Sequence, residues 1–368
     1  MRHLVRRWSY SSAAMLLVAC VWIAFAVQAS EQAPARAVSV PADPGPIWVS
    51  KAIFNSSEEQ IVVPDPGTGR IYVYDLNGRI LRRIASPGRG NLEFEKPNLP
   101  FLVGDRFLIA ASPYRWIWLN AALEPLSGWS LEWNEQENPT YAALAPYEVA
   151  IGSKDLYAIG ATQKQDGTWS DWGVFDVPLN GHSVRQLAKI GNEAAERSYY
   201  LNPPSNLAAC GSSVFLLKMT ETVAIEQVAP SARVVGTLPL EFRKRPALPE
   251  FSRETLPLRK MAVRHAAAAE GLYCTDESHL LLLAHRPREA TGVQWLVYPI
   301  DVQKNQVGAP IELPTKVAEV VFVPGKKRWA VLEKGEMKRV GIQPLTGIVV
   351  FPAPSMQTSG AIASRGTH

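Results

Sequence analysis

Beyond residue 47 the chain sets short apolar runs between turn-forming residues. No stretch repeats its apolar positions at the spacing of a long amphipathic helix. The runs are rich in β-branched and aromatic residues, which predicts strands. They fall at 60–63, 70–74, 107–111, 116–119, 214–218, 279–284, 295–300, 317–323, 328–332 and 347–351.

These runs group into units of about 35–55 residues, a spacing that propeller blades produce. The clearest unit spans 58–84, EEQIVVPDPGTGRIYVYDLNGRILRRI. One strand leads into the turn Asp65-Pro66-Gly67-Thr68-Gly69 and a second into Asp75-Leu76-Asn77-Gly78. Asn-Gly tolerates the positive φ of a tight hairpin, so a third antiparallel strand follows. Weaker copies cover 99–131, 141–190, 202–240, 258–313 and 314–351. The expected fold is all-β: a β-propeller of six four-stranded antiparallel blades, with five or seven as alternatives. A short strand at 47–53 could complete the last blade and so remove exposed edges.

The stretch 86–97, SPGRGNLEFEKP, follows the first unit. Together they resemble an NHL-type repeat through Asp75, Gly78, Gly88, Gly90, Phe94 and Pro97. The match covers residues 60 to about 100, and the other units keep only the strand rhythm. The resemblance implies a six-bladed propeller. That family includes binding scaffolds, lyases and lactonases, so the fold alone does not fix the activity.

The first 29 residues have a different character. Arg2, Arg6 and Arg7 precede an uncharged apolar stretch from Ala13 to Val27, and Val27 and Ala29 offer small side chains before Ser30. That is the layout of a secretory signal peptide cut after Ala29. The apolar stretch is shorter than the roughly 20 residues of a membrane span. Leu17-Val18-Ala19-Cys20 also resembles a lipobox, which would place a lipid on Cys20. Against this, the apolar run continues beyond Cys20. The expected organisation is a signal peptide at 1–29, a Pro/Ala-rich linker at 30–46, the propeller at 47–352 and a disordered tail at 353–368. The expected location is secreted or periplasmic, with membrane anchorage as the alternative.

The signal changes the charge balance. The full chain of 368 residues carries a formal +4, but three of its 38 basic residues and none of its 34 acidic ones lie in the signal. The remainder is close to neutral, which argues against a nucleic-acid partner.

Candidate chemistry is sparse. His279 and His285 would lie about 20 Å apart on one strand face, too far to share a metal. No metal-ligand spacing, nucleophile motif or phosphate loop is present, so no catalytic residue, metal or cofactor is assigned. Asp65, Asp75 and Asp276 read as turn residues that cap backbone N–H groups. After removal of Cys20, Cys210 and Cys274 remain. They either form one disulfide or stay as two buried thiols. Trp116 and Trp118 share a strand face and suit packing. Trp169 and Trp172, in the loop-like WSDWG stretch, are candidates for ligand stacking. Arg243 and Arg245 are candidates for an anionic ligand, although basic turn tips are the plainer reading.

The sequence therefore favours an exported binding or scaffold module for a protein or small ligand in the cell envelope. Recognition would fall to loops such as 163–172 and 243–254. One alternative is a lactonase- or lyase-type enzyme with a divalent ion in its channel. Another is a membrane-tethered envelope assembly subunit, held by an uncleaved signal or a lipid on Cys20.

Overall fold

A computed structural model describes residues 38–39, 45–55, 57–85, 92–112, 115–130, 141–169, 172–179, 183–190, 205–219, 223–237, 267–288, 292–336 and 343–354. Six antiparallel sheets form a six-bladed β-propeller. Strand β1 (Val38–Ser39) belongs to the last blade. Blade 1 holds β2 (Ile53–Phe54), β3 (Gln60–Asp65), β4 (Arg70–Asp75) and β5 (Ile80–Ala85). Blade 2 holds β6 (Asn98–Val103), β7 (Arg106–Ser112), β8 (Arg115–Leu119) and β9 (Pro125–Ser130). Blade 3 holds β10 (Tyr141–Ile151), β11 (Asp155–Lys164), β12 (Gly173–Pro178) and β13 (Arg185–Lys189). Blade 4 holds β14 (Ser205–Cys210), β15 (Ser213–Met219), β16 (Val223–Ala229) and β17 (Arg233–Thr237).

Blade 5 holds β18 (Ala268–Asp276), β19 (His279–Arg288) and β20 (Gly292–Asp301). Two short strands, β21 (Gln306–Val307) and β22 (Ile311–Glu312), both pair with β20. Blade 6 runs outward from β23 (Val320–Pro324) through β24 (Arg328–Lys334) and β25 (Leu345–Pro352) to β1.

The burial gradient across a blade explains the sequence pattern. Strands β3 and β4 are buried on both faces, because a neighbouring blade packs on either side, and they read as continuous apolar runs. The outer strand β5, ILRRIA, is largely exposed and carries the arginines. Alternate side chains then serve opposite neighbours. Ile61, Val63, Tyr72 and Tyr74 pack against blade 6, and Val62, Ile71 and Val73 against blade 2. Six such apolar clusters each join two adjacent blades. Phe94, from the NHL-like stretch, is buried in the cluster between blades 1 and 2.

Ring closure differs in detail from the sequence expectation. Val38 pairs with Ile348 and Ser39 with Gly347, so the closing strand lies at 38–39 rather than 47–53. Ile53 and Phe54 instead start the inner strand of blade 1. The intervening segment is held by side chain and backbone. The buried Asp65 carboxylate accepts the N–H groups of Ile47 (3.0 Å), Trp48 (2.9 Å) and Gly67 (2.9 Å), and the Thr68 hydroxyl (2.7 Å). One carboxylate thus fixes both its own hairpin turn and the chain entering blade 1. Gln343 donates its N–H to Ile47 O at 2.7 Å, tying that entry to blade 6.

No helix among the described residues is long and apolar enough to cross a membrane.

Candidate functional site

The inner strands meet at the ring axis, so their polar residues define the chemistry there. A common level follows from strand register. The residue facing the second position of each second strand is Phe54 (Ile61), Leu102 (Phe107), Ile151 (Leu156), Ala209 (Val214), Cys274 (Leu280) or Pro324 (Trp329). Three rungs further, Asn98 faces Ala110, Glu148 faces Ile159 and Asn206 faces Leu217. On the same rung Gly271 faces Leu283 and Val321 faces Leu332. In blade 1 this level is Lys51, two residues before Ile53. Blade 5 carries a β-bulge here, which inserts Glu270 beside Gly271. Lys51, Asn98, Glu148, Asn206 and Glu270 therefore share one level of the propeller, each from a different blade.

Electrostatics places several of these groups within reach of one another. Burial pushes the Glu148 carboxyl up to about 7, opposed by the Lys51 ammonium and by the Leu207 N–H, which donates to Oε1 at 3.3 Å. Burial lowers the Lys51 ammonium from its ordinary value, and Glu148 opposes that shift. Burial raises the Tyr273 phenol, and the Glu148 and Glu270 carboxylates push it further in the same direction. Groups of blades 1, 3, 4 and 5 can act on Glu148 and Tyr273 together only where inner strands converge.

The supports of the cluster come from several blades. The Lys51 ammonium lies 4.6 Å from the centroid of the Phe101 ring of blade 2, a cation–π contact. Ser50 donates its hydroxyl to Asn98 Oδ1 at 2.5 Å. Behind Glu270, the buried His285 places Nδ1 at 2.8 Å from Oε1, with its ring 5.2 Å from that of Trp295. Asn206 is buried, with 6% of its surface exposed, and its Nδ2 has no acceptor among the described residues.

Among the described residues no group of three His, Cys, Asp or Glu side chains could hold a metal. Lys51 already brings positive charge to the Glu148 carboxylate.

The residues singled out from sequence lie elsewhere. Trp169 is 54% exposed at the hairpin between β11 and β12, where it forms a bridge with Gln163. Trp172 packs against the apolar cluster between blades 3 and 4, and its carbonyl accepts the Ile190 N–H at 2.8 Å. One ring is thus exposed on the hairpin and the other is partly buried against the core. Arg243, Arg245 and Cys20 lie outside the described residues. Cys210 and Cys274 join the inner strands of blades 4 and 5 as a disulfide, with Cα atoms 5.6 Å apart. Asp65, Asp75 and Asp276 cap turns, as expected.

Lys51 and Glu148 escaped sequence reasoning because each stands alone in an apolar segment. A signal was nevertheless present. In NLPFLVG (98–104), EVAIG (148–152) and NLAACG (206–211), a polar residue opens an apolar run that ends at glycine. The glycine lies six, four and five residues after Asn98, Glu148 and Asn206, so the run marks the three inner strands but only strand pairing brings the polar residues to one level.

Comparison with known proteins supports the architecture. No family model and no curated protein matches the chain. Among solved structures, it is similar to a DUF4221 family member from Bacteroides vulgatus, at 11% identity and a TM-score of 0.53. That match covers 87% of this chain and 96% of the other. Two further similar structures are the calcium-binding protein regucalcin from Agrobacterium tumefaciens and a gluconolactonase from Xanthomonas campestris. Their TM-scores are 0.46 and 0.45, at 13% and 11% identity, and each match covers 87% of this chain and 95% of the other. The likeness is one of fold.

Proposed function

We propose that the chain is an exported β-propeller binding module that holds its ligand at the axial level of Lys51 and Glu148. The observation that carries this reading is that pair. Two desolvated groups of opposite charge are held at one level by blades 1 and 3. Lys51 rests on an aromatic face and Glu148 accepts one backbone N–H, so both keep bonding capacity that a ligand could complete. Export rests on the basic, apolar and small-residue order of residues 1–29. The partner is then a small molecule or protein of the cell envelope.

The test combines processing with ligand footprinting. Mass spectrometry of the exported protein should give a mature N-terminus at Ser30; acylated Cys20 would instead support the tethered reading. Hydrogen exchange with and without an envelope extract should show protection of β10 and β14. Protection confined to outer strands, or none, counts against axial binding.

A metal-independent enzyme is the second reading, and it has one specific support. A carboxyl group near 7 is suited to passing a proton at neutral pH. A lactone-hydrolysis panel tests it: turnover lost in Glu148→Gln would favour catalysis, and no turnover by the wild type would leave binding.

A further inference from the structure

We propose that the axial level binds a small monocarboxylate, with the Lys51 ammonium as its counter-charge and Tyr273 as a hydroxyl donor. This rests on the axis being the ligand site, and it deepens that reading by naming the ligand's chemistry.

The first support is an excess of donors. Among the described residues the Lys51 ammonium has one contact, the face of Phe101, and no carboxylate within ion-pair distance. Phe101 can stabilise the charge but cannot accept the ammonium's hydrogen bonds in the way an oxygen does. Tyr273 stays protonated across the neutral range, because burial and the carboxylates of Glu148 and Glu270 oppose its ionisation. It therefore presents an O–H. Asn206, on the same level, adds an amide Nδ2 that lacks an acceptor among the described residues. A carboxylate supplies two oxygens with several lone pairs to such a set.

The second support is the way the level can adjust its own charge. Groups acting on Glu148 are Lys51 from blade 1 and the Leu207 N–H from blade 4, and Tyr273 of blade 5 feels the carboxylates of both Glu148 and Glu270. His285 stands behind Glu270. A carboxyl that takes up a proton near neutrality can release Lys51 from its own field and yield it to an incoming anion. Above that range the ionised Glu148 competes with the ligand. Carboxylate binding is thus accompanied by proton uptake, and affinity falls as pH rises through about 7. A neutral ligand would not show this sign, and a cationic one would show the reverse.

Ligand-detected NMR on the purified mature protein tests the assignment, with lactate as the carboxylate probe, lactamide as its neutral match and ethanolamine as the cation. Lactate should bind while the other two do not. Its affinity should weaken roughly tenfold from pH 6 to pH 8, the change expected when one group must be protonated. Glu148→Gln should retain binding and lose the pH dependence. Lys51→Met should weaken lactate binding about tenfold or more, as removal of a desolvated charge partner does. Thermal melts control for folding of each variant. If Lys51→Met does not fold, the wild-type pH profile and the lactamide comparison still decide.

Equal binding of lactate and lactamide, or an affinity that rises with pH, overturns the carboxylate assignment. If lactamide or ethanolamine binds and Glu148→Gln abolishes it, the ligand class is wrong while the axis stands as a site. Failure of all three probes, with inner-strand protection by envelope extract, also overturns the carboxylate assignment alone. Failure of the probes and of that protection removes both readings.

Discussion

The Glu58 carboxylate accepts the Arg328 N–H at 3.0 Å across the seam between the first and last blades. The same carboxylate accepts the N–H of Lys326 at 2.6 Å and of Lys327 at 2.9 Å. Glu58 adopts a φ of 59°, and Asn55 accepts its N–H at 3.0 Å. A turn of blade 1 thus serves as an anionic plug for a turn of blade 6. Replacing Glu58 with Ala leaves three donors without their acceptor. We expect a loss of about 2–4 kcal/mol, with Glu58→Gln intermediate. Urea denaturation reads this, and an unchanged midpoint in Glu58→Ala would deny the seam this role.

The Cys210–Cys274 link spans a sequence separation of 64 residues. Chain-entropy arguments for a loop of this size give about 4 kcal/mol. Cys210→Ser should lower the melting temperature measured without reductant. Dithiothreitol should lower the wild type toward the same value and leave the variant unmoved. A variant as stable as the oxidised wild type would contradict the expected contribution.

Glu148 makes stability depend on pH in a defined direction. Its folded value is raised to about 7 from 4.5, so the folded state binds this proton more tightly than the unfolded chain. The contribution is fully present below about pH 4.5 and fades as pH rises through 7. Its size is on the order of 3 kcal/mol. Glu148→Gln should flatten the stability profile between pH 5 and about 7.5, as followed by urea midpoints. Lys51 is lowered, so its contribution has the opposite slope, with stability gained as pH rises.

The two tryptophans of the β11–β12 hairpin should separate by measurement. Trp169→Ala removes an exposed ring, and its effect on stability should stay within about 0.5 kcal/mol. Trp172→Ala removes a ring packed between blades 3 and 4 and should cost about 2 kcal/mol or more. Thermal melts distinguish them. Equal losses would mean that Trp169 packs against the ring as well.

Much of the ring was legible because its strands obey local rules. Asn77-Gly78 closes a hairpin, Asp65 caps a turn, and Trp116 and Trp118 pack on the cluster between blades 2 and 3. The closing strand was not legible. Val38 and Ser39 lie in a Pro/Ala-rich stretch, and only pairing with Ile348 and Gly347 makes them a strand. The axial level was hidden for a related reason. Lys51 and Glu148 lie almost one hundred residues apart, and nothing local marks them as neighbours. Their relationship arises from the repeat, which returns each inner strand to the axis, and from bulges such as that at Glu270. The partial burial of Trp172 was not legible either, because its polar neighbours suggest a loop, while the adjacent β12 draws it toward the cluster between blades 3 and 4.

The clasp between β1 and β25 imposes an order in time. Its two halves lie more than three hundred residues apart, with Val38 near the beginning and Ile348 near the end. A chain threaded through a membrane from its N-terminus would deliver the first half of the clasp long before the second. Until then, β1 has no strand to pair with and β24 keeps an open edge. β25, made more than three hundred residues after β1, therefore completes the ring, and a chain that stops before residue 345 leaves an unpaired strand edge exposed.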